Sequence, residues 1–267
     1  MIALKSAREI ETMRRSGKIT VAVLTELMAA VRPGITTREL DAMAEAGIRS
    51  RGGVPTFLGY NGFTGSICAS VNEEVVHGIP GSRVLADGDL LSIDIGTTLD
   101  GYVSDTAVTV AVGTISQPAQ DLLDVTQACL MAGIGAMRPG GRVGDIGAAV
   151  QAHAEKHGYG VVRELVGHGV GRAMHEEPQV PNYGKVGTGA ELRTGLVLAI
   201  EPMITQGHHS TRTLKDGWTV VTADGKLAAH FEHTIAMTDE GPKILTLREV
   251  GEHPDARRYR PKEEVRV

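Results

Sequence analysis

Two imidazoles, His168 and His175, lie seven residues apart in Val166-Gly167-His168-Gly169-Val170-Gly171-Arg172-Ala173-Met174-His175-Glu176-Glu177-Pro178. Three glycines precede the first carboxylate, a composition too costly for a stable helix. The i,i+4 arrangement by which a helix offers two histidines to one metal is therefore unavailable. If both serve one site, they do so from a loop or a strand edge, with carboxylates supplied from elsewhere. Taken alone, the stretch reads equally well as a glycine turn carrying two solvent-facing histidines.

The carboxylates come in two related pairs. Asp94 interrupts the apolar run Leu90-Leu91-Ser92-Ile93-Asp94-Ile95, and Glu201 its counterpart Leu196-Val197-Leu198-Ala199-Ile200-Glu201, 107 residues later. Each is followed by a second acid-bearing strand, with Asp105 in Tyr102–Val108 and Glu232 in His230–Ile235. Asp100-Gly101 is a hairpin signal, so a two- or four-residue loop sets Asp94 either opposite Asp105 or diagonal to it on the same face. Carboxylates converging on an apolar surface repel and resist burial unless a cation or a shared proton compensates. For the second pair an insertion with Trp218 and Asp224-Gly225 leaves the register open, and Pro202 directs the strand to end, bulge or lie at an edge. Four acids and one imidazole exceed the need of one divalent ion. They suit two ions bridged by carboxylates and a hydroxide, a device that makes a nucleophile near neutral pH and polarises a carbonyl. Ligand softness favours manganese, iron, cobalt or zinc over copper.

The elements that must position these groups repeat with the same offset. Ser6 with Glu9 opens a long helix, stopped by Arg32-Pro33-Gly34 and open to a break near Gly17. Thr36 with Glu39 opens a second helix, closed by Gly52-Gly53. A helix from Ser116 ends at Arg138-Pro139-Gly140, and another follows it up to Gly158. The two Arg-Pro-Gly stops are 106 residues apart, too long a period for a solenoid and suited to a duplicated half-domain.

Composition limits the alternatives. The 267 residues carry a formal net charge of -5, so no basic field advertises nucleic acid. One Trp, five Tyr and three Phe are too few for base-stacking platforms. Cys68 and Cys129 form no zinc or disulfide framework, and the N-terminus lacks the apolar core of a signal peptide, which together point to a reduced, cytoplasmic setting without a membrane span.

With Gly-His-Gly-Val-Gly-Arg, His-Glu-Glu-Pro, Ile-Glu-Pro-Met and Phe-Glu-His-Thr around the later members, Asp94, Asp105, His168, Glu201 and Glu232 resemble the ligand set of type I methionine aminopeptidases. The likeness runs from about residue 4 to 248. It implies an α+β pita-bread fold (creatinase/aminopeptidase-like), two pseudo-twofold related αβ halves around a central curved antiparallel sheet. The halves would span residues 1–115 and 116–250 of a single catalytic domain, with a charged tail at 251–267. The implied activity is removal of the initiator methionine from nascent chains whose second residue is small, by attack of a dimetal-bound hydroxide on the scissile carbonyl.

By position, the resemblance makes Asp94 a ligand of one ion, His168 and Glu201 ligands of the other, and Asp105 and Glu232 bridges between them. Two divalent ions (Co, Mn, Fe or Zn) are implied. His77 and His175 would touch the substrate at the scissile amide, and Glu201 would also take the proton of the attacking water. Phe57, Tyr60, Phe63, Cys68, Met174 and Trp218 would line the methionine pocket, where sulfur–aromatic contacts suit a thioether. Met174 stands where some relatives carry Phe. No cysteine-rich N-terminal zinc module and no long helical insertion is present, as in the short bacterial form. The implied partners are nascent N-termini; separately, Arg257, Arg258, Arg260 and Arg266 of the tail suggest a transient ribosome contact, and the chain is expected to act as a monomer. The competing readings are a proline-directed peptidase on the same fold, a non-catalytic pita-bread binding module that has lost its ligands, and a metal-free hydrolase, for which no nucleophile motif exists.

Overall fold

The structure is a computed structural model that describes residues 2–248, so the tail and the ribosome contact expected of it lie outside the described residues. In chain order the elements are α1 (Ala7–Ala30), α2 (Thr37–Ser50), β1 (Val54–Pro55), β2 (Ile67–Val71), β3 (Glu74–Val76), β4 (Leu90–Leu99), β5 (Tyr102–Ala111), α3 (Gln117–Gly135) and α4 (Val143–Lys156). They continue with β6 (Gly160–Val161), β7 (Gly167–Gly169), β8 (Glu176–Val180), β9 (Val197–Ile200), β10 (Met203–Thr205), β11 (Thr211–Thr213), β12 (Val220–Thr222), β13 (Ala228–His230), β14 (His233–Thr238) and β15 (Gly241–Ile244).

Local chemistry sets the helix boundaries. Ser6 and Glu9 make a reciprocal capping box at α1, and Thr36 and Glu39 repeat it at α2. Ser116 caps α3, with Pro118 in the first turn, where its missing N–H costs nothing. Gly17 does not break α1, contrary to expectation. A Cβ there would stand 2.4 Å from the carbonyl oxygen of Leu245, so the glycine admits the segment after β15 against the helix. Beside it Ser16 donates to the Thr97 carbonyl (2.7 Å) and meets the Ser104 hydroxyl (3.0 Å), which also contacts Thr20 (2.7 Å). This satisfied buried seam ties α1 to β4 and β5.

The duplication is visible in backbone hydrogen bonds. Gly34 N donates to Leu85 O and, 106 and 107 residues later, Gly140 N donates to Leu192 O. Thr37 N to Arg83 O is matched by Val143 N to Ala190 O, and the isolated bridge Thr36–Val84 by Arg142–Glu191. Every named strand pairing is antiparallel. One sheet sets β4 between β5 on one side and β1 and β2 on the other; another runs β15-β14-β9-β7-β8. A continuous apolar core joins helix residues such as Leu24, Leu40, Leu123 and Ile146 to Ile93, Val108, Leu198 and Ile235 of the sheets. The helices thus pack against the sheets, and β5 of one half runs alongside the β13–β14 segment of the other, joined by Glu232 N to Ala107 O.

Candidate metal centre and active site

The first pair of acids is set by a turn. Asp100 and Gly101 have φ of +50° and +77°, the left-handed values that a two-residue hairpin loop requires. The register that follows pairs Asp94 with Ala107 and Gly96 with Asp105, making the two acids diagonal neighbours on one face.

The second pair is set by breaks in strands. Glu201 lies just beyond β9, ahead of Pro202, and its carbonyl accepts from Asn182 Nδ2 at 3.0 Å. Glu232 does not sit within a strand as expected; Phe231 and Glu232 form the interruption between β13 and β14. There Glu232 N donates to Ala107 O (3.0 Å) and its carbonyl accepts from Thr106 Oγ1 (2.6 Å). Thr234 Oγ1 accepts from Asp105 N (2.9 Å) and donates to Asp105 O (2.7 Å). Backbone stitching across the two halves therefore brings Glu232 to Asp105.

His168 occupies neither a loop nor an edge. It sits on β7, inside the sheet between β8 and β9. The flanking glycines allow this, since a Cβ at Gly167 would lie 2.4 Å from Ala199 O and one at Gly169 2.3 Å from Glu177 O. Its Nδ1 stands 2.9 Å from the Gly169 carbonyl, which can only accept, so the proton is on Nδ1 and the Nε2 lone pair is free.

These groups converge. One ligand atom from each of Asp105, His168 and Glu232 lies within 4.8 Å of the others, and His168 Nε2 is 3.4 Å from Glu201 Oε1. Asp94 Oδ1, Asp105 Oδ1 and Glu232 Oε1 are buried with no hydrogen-bond partner. Burial, then the neighbouring acids, pushes Asp94 and Glu232 far above the ordinary carboxylate range, and burial with Asp105 does the same to Glu201. Asp105 is pushed up to about 7, chiefly by burial. Orphaned oxygens and mutual repulsion are what a divalent cation relieves, and oxygen donors with one imidazole suit such an ion. The residues fit the group.

A pH dependence follows. A carboxyl whose folded pKa is raised contributes stability that is complete below its unfolded value near 4 and is lost as pH rises through the folded value. Metal-free protein should lose roughly 5 °C in Tm between pH 6.5 and 8.5, and saturating manganese should remove the loss. His77 and His168, both lowered to about 4 by burial, act with the opposite sign and only below about pH 6.5. A flat metal-free melting curve across this window would contradict the description of the acids.

The substrate-facing candidates surround this centre. His77 holds φ of +61° and packs edge-on to Trp218 at 6.2 Å. The His175 ring lies 4.3 Å from that of His168. The loop carrying His175 is pinned by Glu176, which accepts from the backbone N–H of Arg172 (2.8 Å) and Ala173 (3.1 Å) and pairs with Lys5 at 2.7 Å. Phe57, Phe63 and Cys68 form one apolar cluster, against which Met174, Trp218 and Ile79 pack. Ile79 was not anticipated. Tyr60 stands outside this cluster, its hydroxyl 2.7 Å from His175 Nδ1. His230 was also missed: it is 1% exposed, its Nε2 is 3.7 Å from Glu201 Oε2, and burial lowers its pKa to about 3. Its position two residues before Glu232 was the available signal, since such residues share a face in an unbroken strand.

Comparison with known proteins agrees with this geometry. Residues 11–239 match the model of metallopeptidase family M24. Methionine aminopeptidase 1 of Bacillus subtilis is 53% identical over 246 residues, covering 92% of this chain and 99% of that protein. Methionine aminopeptidase 1 of Mycobacterium tuberculosis is 47% identical over 254 residues, covering 92% of this chain and 96% of that protein. Among solved structures, methionine aminopeptidase from Rickettsia prowazekii superposes with a TM-score of 0.91 at 42% identity, covering 92% of this chain and all of that one. Prolidase from Pyrococcus furiosus shares the fold at a TM-score of 0.76 and 22% identity, with 92% of this chain matched to 66% of that one. Two αβ halves closing on an antiparallel sheet that carries the acids, in a sequence this similar, make this a pita-bread enzyme: the chain belongs to the metallopeptidase family M24, in its type I methionine aminopeptidase branch.

Proposed function

We propose that the chain removes the N-terminal methionine from polypeptides whose second residue is small, using two divalent ions held by Asp94, Asp105, His168, Glu201 and Glu232. The observation that carries this reading is the adjacency of orphaned buried acids to the apolar cluster of Phe57, Phe63, Cys68, Ile79, Met174 and Trp218, in which Cys68 lies directly opposite Asp94 across β2 and β4. Asp94 would hold one ion, His168 and Glu201 the other, and Asp105 and Glu232 would be shared between them. When bound, the ions supply Lewis acidity and a nucleophile at neutral pH.

The chain's own residues do the rest. The aromatic and sulfur-bearing wall encloses an unbranched thioether and excludes water from it. Glu201 accepts the proton of the attacking water, and the neutral rings of His77 and His175 orient the scissile amide and donate to charge developing on it. The rim, where Tyr60 and His175 meet, restricts the second residue. Residues 1–250 act as one catalytic domain on the N-termini of nascent chains, as a monomer in the cytoplasm, with cobalt, manganese, iron or zinc as candidate metals. Among the described residues no helix is long and apolar enough to cross a membrane.

The test is hydrolysis of Met-Gly-Met, Met-Leu, Leu-Gly and Ala-Pro peptides by chelator-stripped protein, before and after each metal is restored. Metal-dependent release of methionine from Met-Gly-Met alone is the expected result. Cleavage of Ala-Pro would move the chain to the proline-directed branch, and inactivity under every metal would favour a binding module.

A further inference from the structure

Tyr60 is separated from the aromatic residues on either side of it in sequence. Phe57 and Phe63 turn into the apolar cluster, while Tyr60 leaves it. The turn between them is closed on itself: Tyr60 N donates to Phe57 O (2.9 Å), Phe63 N to Tyr60 O (2.9 Å) and Gly59 N to Phe63 O (2.8 Å). Gly59, Asn61 and Gly62 adopt φ of +86°, +48° and +88°, and Asn61 does so without being glycine. This backbone directs the phenol across the cleft to the loop after β7, where its oxygen lies 2.7 Å from His175 Nδ1.

The chemistry of that contact has a direction. A neutral imidazole carries one N–H, so whichever nitrogen accepts forces the proton onto the other. A phenol is a stronger acid than a neutral imidazole N–H, and the imidazole nitrogen is a strong acceptor, so the favoured pairing is O–H to Nδ1. His168, with its ring centre 4.3 Å away, has the opposite arrangement, because its Nδ1 faces a carbonyl that can only accept.

We propose that Tyr60 is a positioning residue that donates its phenolic proton to His175 Nδ1 and so holds His175 as the Nε2–H tautomer, a hydrogen-bond donor toward the bound peptide. The two adjacent rings are thereby differentiated: His168 offers a lone pair and His175 offers a proton. The functional half of this inference rests on the reading of His175 as a substrate-facing residue.

The experiment is long-range nitrogen–proton NMR on histidine-labelled, zinc-loaded protein, for the wild type and Tyr60→Phe, together with steady-state kinetics of both and of each in a His175→Ala background. The expected wild-type spectrum shows His175 protonated at Nε2. Tyr60→Phe should populate the Nδ1–H tautomer and lower kcat about tenfold with KM nearly unchanged, as loss of an orienting partner does, and should add nothing when His175 is absent. Three results would each overturn the proposal: Nδ1–H in the wild type, a His175 spectrum unchanged by Tyr60→Phe, or an equal fall in rate with and without His175. A wild-type rate in His175→Ala would instead overturn the catalytic reading of His175, leaving the spectrum to decide the tautomer.

Discussion

Glu232→Ala should release metal and abolish most turnover together, with kcat/KM falling by about 10³-fold or more. The size follows from position. Glu232 is 2% exposed, its Oε1 has no hydrogen-bond partner, and its ligand atom converges with those of Asp105 and His168. If Glu232 serves both ions as proposed, its loss removes a ligand from each, and losses near 4 kcal/mol in transition-state stabilisation correspond to about three powers of ten in rate. The fold should survive, because the bonds stitching residue 232 to β5 use its backbone N–H and carbonyl, which alanine keeps. Metal content after dialysis, measured beside kcat/KM and the melting curve, checks this. A variant retaining two tightly bound ions at the normal rate would remove Glu232 from the centre.

His77 gives the second large effect, with an inverted order of stability. Its φ of +61° is uncommon for any residue with a Cβ, and a left-handed backbone is where glycine is favoured. Replacement by Ala or Gly should lower kcat about 10²-fold in each case, because either change removes the imidazole proposed to act on the scissile amide. Elsewhere Ala is ordinarily the more stable of the two, but here Gly should be the more stable by about 1 kcal/mol, since only Ala retains the backbone strain. Paired melting curves and kinetics of the two variants read both quantities. Equal rates in wild type and variants would exclude His77 from catalysis, and the usual Ala-over-Gly order would show that the strain at this position is not felt.

The sequence by itself determined what is local or periodic. Asp100-Gly101 marks a hairpin that puts Asp94 and Asp105 on one face, and the two-residue loop adopted in the structure makes them diagonal rather than opposite neighbours. The capping boxes at Ser6 and Thr36 and the repeated Arg-Pro-Gly stops mark the helix pairs and their duplication, because such signals act within a few residues or recur at a constant offset. The four acids were legible as carboxylates set at matching offsets in apolar strands, where burial costs free energy without a function, whereas the choice of His168 over His175 as the fifth ligand came from the resemblance to type I methionine aminopeptidases. Tertiary structure decided what depends on which separate chain segments pack or pair together. The hydroxyl of Thr234 bonds to the backbone of Asp105, and that contact, invisible to periodicity, fixes where strand pairing breaks and how Glu232 enters the centre. Close backbone approach, not loop character, explains the glycines around His168 and Gly17. The assignment of Tyr60 to His175 and of His230 to Glu201 also waited for the fold, since side-chain identity states what a group can bond and only packing states which partner lies within reach.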